Sequence, residues 1–247
     1  HLHYINGLKD LNIVGGIVQI RGNAIPNPPD GLGPVDNANW RQHFQEREEA
    51  EIKYFGNPEV PDIPLLKVDK DTLNGSDSVD FVKRMKPDRV IVFGTGMIRE
   101  PLASALPDET INLHLGLSPR YRGAATLFWP FYFLEPNWAG TTFHYIKHSP
   151  DAGDIIHQVV PKLEKGDGIH DVACKAVLES TREAHTLLQM PRWEKFTQKP
   201  EAGKNFLESD FKPQHLRVIY QVYNNDIVDH YLNGKITPKE PKLRRQF

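Results

Sequence analysis

Short apolar runs of strand length alternate with helix-length patterns along these 247 residues, and this alternation constrains the fold more than any single motif does. Residues 89–93 form a compact run that stops at Gly94-Thr95-Gly96, as a buried parallel strand feeding a tight turn would. Further strands are expected over 13–20, 64–68, 111–115, 141–146 and 155–160. Helical spacing appears between them: Tyr4, Ile5, Leu8 and Leu11 in 4–11, and Trp40, Phe44 and Ile52 in a polar helix over 39–54. A helix over 76–85 opens at Ser76 and Asp77, and a strongly apolar one is expected over 124–134. The clearest covers 168–189, where Ile169, Val172, Ala176, Ala184 and Leu187 share a face behind a cap at Asp167. The expected class is therefore α/β, a mostly parallel sheet with helices on both faces. The division expected is a main domain over 1–190 and a short C-terminal appendage over 191–247, whose helical part is 216–232. The text opens at His1, inside a helical pattern, so a preceding strand is expected to be missing.

Composition excludes several classes. Lys and Arg number 30 against 32 Asp and Glu, a formal charge of −2, so the chain lacks the basic balance of a nucleic-acid binder. No run approaches the roughly 18 apolar residues that span a bilayer. The single cysteine, Cys174, rules out an internal disulfide and the zinc-knuckle spacings. It lies on the apolar face of a helix as a buried small hydrophobe, and the expected compartment is reducing and cytoplasmic. The basic stretch 234–247, with Lys235, Lys239, Lys242, Arg244 and Arg245, is expected to be a solvated tail. The Pro- and Gly-rich segment 21–39 is a loop long enough to suggest a functional role.

Against this background Asn112-Leu113-His114 stands out. Two polar residues two apart on a strand point to one face, while Leu113 and Leu115 point to the other. Polar side chains on a buried strand need hydrogen-bond partners, so the pair is either structural and satisfied or functional. The string Ser118-Pro119-Arg120-Tyr121-Arg122-Gly123 follows, and Asp151-Ala152-Gly153-Asp154 forms a turn that can return a carboxylate to His114. Asp154 is expected to start a strand, and His144 and His148 to line a pocket or serve structure.

The order of these parts resembles the folate-dependent formyltransferase family, best over 88–160. There an Asn-x-His strand end, a Pro-x-Tyr-Arg-Gly-type loop and an Asp-x-Gly turn close the site. The resemblance implies a Rossmann-like formyltransferase fold, with 1–190 as the catalytic domain and N10-formyltetrahydrofolate as formyl donor. It makes Asn112, His114 and Asp151 the catalytic residues and requires no metal. It also places Gly96, Met97 and Ile98 where family members hold the pterin by main-chain hydrogen bonds; glycine there lets a flat ring approach. Asn112 and a protonated His114 would donate to the carbonyl oxygen as it gains charge, each donor worth about 3–4 kcal/mol of barrier. Asp151 would favour the imidazolium, and either it or His114 could take the amine proton.

His114-Leu115-Gly116-Leu117-Ser118-Pro119 departs from the family's usual His-Pro-Ser-Leu-Leu-Pro and looks like the branch acting on nucleotide-linked amino sugars in surface-polysaccharide (lipopolysaccharide) biosynthesis. The expected partner is a small nucleotide-sugar, with neither nucleic acid nor membrane, and a homodimer is allowed. The alternatives are glycinamide ribonucleotide or methionyl-tRNA as acceptor, a formyltetrahydrofolate hydrolase, and a non-catalytic folate- or nucleotide-binding module.

Overall fold

The computed structural model describes residues 1–20, 25–147 and 150–247. In chain order the elements are α1 (Leu2–Gly7), β1 (Gly16–Gln19), α2 (Pro34–Phe55), β2 (Leu65–Val68), α3 (Ser76–Met85) and β3 (Val90–Phe93). There follow α4 (Leu102–Ala105), β4 (Thr110–His114), β5 (Tyr121–Gly123), α5 (Trp129–Tyr132), β6 (Thr141–Tyr145) and β7 (Ile155–Val159). The chain continues through α6 (Ile169–Gln189), β8 (Lys204–Phe206) and α7 (Ile227–Leu232). The class is α/β, as expected.

Connection length sets strand direction. β1 pairs with β2, and β3 with β4, in parallel, each after a helical crossover; β6 and β7 add antiparallel beyond β4, in the order β3-β4-β6-β7. Parallel pairing is thus confined to the first half and to the separate β5–β8 pair. The antiparallel hairpin matters most, because the β6–β7 turn carries Asp151 back over β4.

α6 forms because 21 residues without Gly or Pro repeat an apolar face. That face buries Ala184 and Leu187 against Ile111 and Leu113 of β4, Phe143 of β6, Ile156 of β7 and Tyr4 of α1. Complete burial of one such leucine stabilises the fold by about 1.5–3 kcal/mol. On the other half, α3 and α4 cover β1 and β2 through Val82, Leu102, Val68 and Leu73. With Ile111 and Leu113 committed to α6, Asn112 and His114 are left on the opposite face.

Several local expectations change. The helix expected over 4–11 is Leu2–Gly7. The polar helix begins at Pro34, whose fixed φ suits the first helical position, so the 21–39 loop is shorter than expected and residues 21–24 lie outside the described residues. The cap of α6 is Gly168: its amide donates to Asp171 at 3.0 Å, while Asp167 instead holds Lys175 at 2.7 Å. The apolar stretch 124–134 is α-helical only over Trp129–Tyr132, since Ala125 sits at φ +54, in the left-handed region that interrupts a helix. Its rings still enter the core, Phe131 fully buried. The helix expected over 216–232 divides at Asn224 and Asn225, both at positive φ, into a π turn and α7.

Residues beyond 190 contribute to both large cores: Trp193 packs with α1 and α6, and Phe206, Leu216, Ile219 and Ile227 pack with Trp129 and Phe131. The basic 234–247 stretch is not a free solvated tail; its main chain and side chains bind β7 and α6. Among the described residues no helix is long and apolar enough to cross a membrane. Cys174 is buried, and burial pushes its thiol up to about 12, as expected of an inert core thiol.

Candidate active site

Asn112, His114 and Asp151 come together in the structure. β4 aims the first two at one face, and the register sets His144 of β6 opposite Asn112 and Thr142 opposite His114. Asp151 sits at φ +48, a left-handed conformation uncommon outside glycine that turns its carboxylate toward β4. Its Oδ2 lies 3.3 Å from His114 Nδ1 and accepts the Gly123 amide at 2.8 Å. Its Oδ1 lies 3.3 Å from His144 Nε2 and accepts from Asn112 Nδ2 at 3.4 Å. Gly153 is required two residues on, because a Cβ there would collide with the Tyr145 carbonyl. Asp154 is outside this cluster, paired with Lys147 at 3.4 Å.

The tautomers follow from the partners. His114 Nε2 is 2.9 Å from the Tyr121 carbonyl, which only accepts, so Nε2 carries the hydrogen. Nδ1 of the neutral ring is then a lone pair held against Asp151. His144 Nδ1 likewise donates to the Tyr145 carbonyl at 2.9 Å, and its Nε2 can accept from Asn112 Nδ2 at 3.2 Å.

Burial lowers the pKa of His114; Asp151 pulls it up, and His144 and Arg122 add to the lowering. Desolvation of the buried ring thus favours the neutral imidazole at rest, against the pull of Asp151 toward the imidazolium. Burial also pushes the Asp151 carboxyl up, but the two neighbouring imidazoles and the Gly123 amide hold it at about 2. Asp151 is thus ionised at neutral pH. A neutral base beside a fixed carboxylate can accept a proton and have the resulting cation stabilised, while Asn112 offers an amide donor alongside.

A cleft of about 170 Å³ opens beside these groups, lined by Val92, Thr95, Gly96, Met97, Ile98, Asn112, His144, Ile146 and Asp151 among others. Gly96, Met97 and Ile98 all lie on its wall. Gly96 donates to Gln19 Oε1 at 2.6 Å, and the Met97 carbonyl accepts from Asn74 at 3.0 Å. The Met97 amide and both main-chain groups of Ile98 have no partner among the described residues. Val92, Ile98 and Ile146 give the same cleft apolar lining. The larger cavity, about 240 Å³ between α2 and α6, holds none of the three residues. Among the described residues no group of His, Cys, Asp and Glu could hold a metal ion.

His144 lines the cleft, as expected, and also reaches the Asp151 carboxylate. The available signal was its placement: with Thr142 it shares the β6 face that β4 presents with Asn112 and His114. Gln198, whose amide donates to the carbonyls of Asp151 and Gly153, gave no sequence signal. His148 lies outside the described residues.

Residues 38–184 match the family model described as formyl transferase. The chain is 32% identical to a methionyl-tRNA formyltransferase of Bacteroides fragilis over 110 residues, 44% of this chain and 33% of that protein. It is 32% identical to that of Geobacter sulfurreducens over 131 residues, 51% of this chain and 40% of that protein. The match therefore spans well under half the length of these curated relatives. Among solved structures, the formyltransferase PseJ from Anoxybacillus kamchatkensis, in complex with UDP-4,6-dideoxy-4-formamido-L-AltNAc and tetrahydrofolate, superposes with a TM-score of 0.52 at 19% identity. That likeness covers 86% of this chain and 94% of PseJ, and it shows the shared fold. With the family model covering more than half of its residues and the Asn112–His114–Asp151 cluster inside the match, this chain belongs to the formyl transferase family.

Proposed function

We propose that this protein is an enzyme that transfers a formyl group from N10-formyltetrahydrofolate to the amino group of a nucleotide-linked amino sugar. The observation that carries the reading is a cleft that is lined by Asn112 and Asp151 and whose wall presents main-chain groups at Met97 and Ile98, with the buried His114 3.3 Å from the Asp151 carboxylate. The folate supplies the formyl group. The chain's own residues do the rest: Met97 and Ile98 orient the ring, and Asn112 Nδ2 donates to the oxygen that gains negative charge as the amine attacks. His114 Nδ1, bare in the neutral ring, takes the proton the amine loses, Asp151 stabilises the imidazolium then formed, and the proton passes to the folate nitrogen as its bond to the formyl carbon breaks and tetrahydrofolate leaves.

The acceptor reading rests on the Gly116 variant of the loop. A Cβ at Gly116 would lie 2.6 Å from His114 Nε2 and 2.7 Å from the Tyr121 carbonyl, so this loop form is built around glycine. A formal charge of −2 favours a small acceptor over tRNA. PseJ, with its formamido sugar-nucleotide, offers the chemical pattern for the acceptor. The same reading puts the enzyme in the cytoplasm, in surface-polysaccharide synthesis, with a homodimer as an allowed state.

The test is a mass-spectrometric screen of nucleotide-linked amino sugars with N10-formyltetrahydrofolate. Gain of one formyl group by such a sugar, lost in Asp151→Asn, is expected. Modification of glycinamide ribonucleotide or methionyl-tRNA alone overturns the acceptor. Formate release without an amine identifies a hydrolase, and ligands bound but unchanged identify a binding module.

A further inference from the structure

The loop on which the site rests is held from behind by a buried amide. His114 leans on the Tyr121 carbonyl and Asp151 on the Gly123 amide, so the segment from Gly116 to Gly123 sets both. Gln158 of β7, 4% exposed, donates through Nε2 to the Ser118 carbonyl at 2.7 Å and to Thr142 Oγ1 at 3.2 Å. Thr142 Oγ1 in turn donates to the Gly116 carbonyl at 2.7 Å and accepts the Ser118 amide at 3.0 Å. The remaining group of that side chain, Oε1, accepts the main-chain amide of Arg244 at 3.0 Å, and the Gln158 amide donates back to the Arg244 carbonyl at 2.8 Å. Every hydrogen-bonding group of the Gln158 side chain is thereby used, and its orientation is set by the C-terminal segment.

That segment reaches the other half of the site as well. The Gln246 side chain accepts from the Glu194 amide at 2.9 Å and donates to the carbonyls of Glu194 at 2.9 Å and Ile156 at 2.7 Å; its own amide donates to His157 Nδ1 at 3.0 Å. From Glu194 the chain runs through Phe196, which bridges Ile155, to Gln198, whose amide holds the Asp151 turn.

We propose that residues 244–246 form a clasp that positions the active site, acting through Gln158 on the His114 loop and through Gln246 and the 194–198 segment on the Asp151 turn. Gln158 and Gln246 are positioning residues: among the contacts described, neither touches Asn112, His114 or Asp151. The clasp explains why a basic, proline-containing stretch lies along β7 instead of in solvent. It also covers that strand's outer edge, which would otherwise expose unpaired amides.

The kinetic readout rests on the proposed formyl transfer; the geometric one does not. In the full chain, Gln158→Met keeps the side-chain length and removes the amide. Its kcat is expected to fall about ten- to hundredfold, the scale of a misplaced catalytic group. KM for donor and acceptor should stay within about twofold, because the cleft wall is untouched. Amide hydrogen exchange at Tyr121 and Gly123 should accelerate, reporting a loosened loop. Gln246→Ala, at the periphery, should lower kcat about three- to tenfold, and the double variant should lose less than the product of the two. Unchanged kcat together with unchanged exchange in both variants overturns the clasp, as does a lowered melting temperature with kcat intact. Should Gln158→Met fail to fold, Gln246→Ala decides alone on the same two readouts. A wild-type protein that formylates nothing defeats the proposed function, and exchange at Gly123 still decides the clasp.

Discussion

Among the described residues two pairs of buried histidines lie ring to ring, and their surroundings differ. His114 and His144 have ring centroids 6.2 Å apart, with the Asp151 carboxylate reaching both. His43 and His170 are closer, at 4.4 Å, between α2 and α6, with His43 Nδ1 on the Tyr220 hydroxyl at 3.0 Å. Burial lowers all three pKa values that are shifted: those of His43, His114 and His170. Burial alone therefore does not mark a catalytic histidine. What separates the pairs is a carboxylate that reaches both rings; the α2–α6 pair also borders a cavity, but His43 meets the Tyr220 hydroxyl and the nearby Asp171 carboxylate is taken by Lys53.

The sharpest break of this contrast removes the carboxylate. Asp151→Asn and His114→Ala should each lower kcat by roughly a thousandfold with the fold retained, measured by steady-state formyl transfer and circular dichroism. Activity close to wild type in either would make the two pairs equivalent. Asn112→Ala removes one donor to the developing oxyanion and should cost about a hundred- to a thousandfold in kcat. His144→Phe takes away a hydrogen-bond partner of Asp151 but leaves base and carboxylate, so a loss of roughly ten- to hundredfold is expected. Because the His114 base is neutral at rest, the acid limb of kcat/KM should lie below the ordinary histidine value of 6.5.

The structural pair should answer in stability and not in rate. His43→Phe removes one of the Tyr220 hydroxyl's partners, Glu46 remaining, and should cost about 0.5–1.5 kcal/mol in urea unfolding, with kcat unchanged. The pH dependence separates the pairs further. Burial, helped by the Arg47 charge and opposed by a hydrogen bond to the His43 backbone and by Asp171, lowers His170 to about 4; Glu46, Glu49 and Lys53 line the same cavity. As pH falls below 6.5 the unfolded chain takes up this proton first. The stability from the neutral His170 is whole above 6.5 and is lost progressively toward pH 4. Asp151, depressed from 3.8 to about 2, contributes stability above 3.8 that is lost only as pH falls through its folded value. His170→Gln should flatten the first window in pH-dependent urea unfolding and leave the second. A variant that alters both would show the two pairs to be energetically linked.

Much of the site was legible because its parts are local. The period of two in Asn112-Leu113-His114 put both polar groups on one face before any packing was known. Asp151-Ala152-Gly153 announced a turn, and the run 76–85 an amphipathic helix that the structure reproduces. Where residue types misled, a backbone conformation or a distant partner decided. Ala125 at φ +54 breaks a stretch whose composition favours a longer helix. Arg244 and Gln246 belong to a charged, proline-containing tail by composition, yet their amides find acceptors on Gln158 and His157. Gln158 and Gln198 carry no local pattern that could single them out, since their partners lie 16 residues away or more along the chain.

By itself the sequence determined the alternation of strands and helices, the polar face of β4 and a turn able to return a carboxylate to it, because periodicity and turn chemistry act over a few residues; that Asn112, His114 and Asp151 form one set was what the family resemblance implied. Only the tertiary structure decided that His144 joins them, that the C-terminal stretch clasps the loop behind them, and that His114 rests neutral. A proton's affinity for a buried ring sums desolvation and charge from β4, the Tyr121–Arg122 loop, β6 and the Asp151 turn at once, and no short stretch of sequence contains that sum.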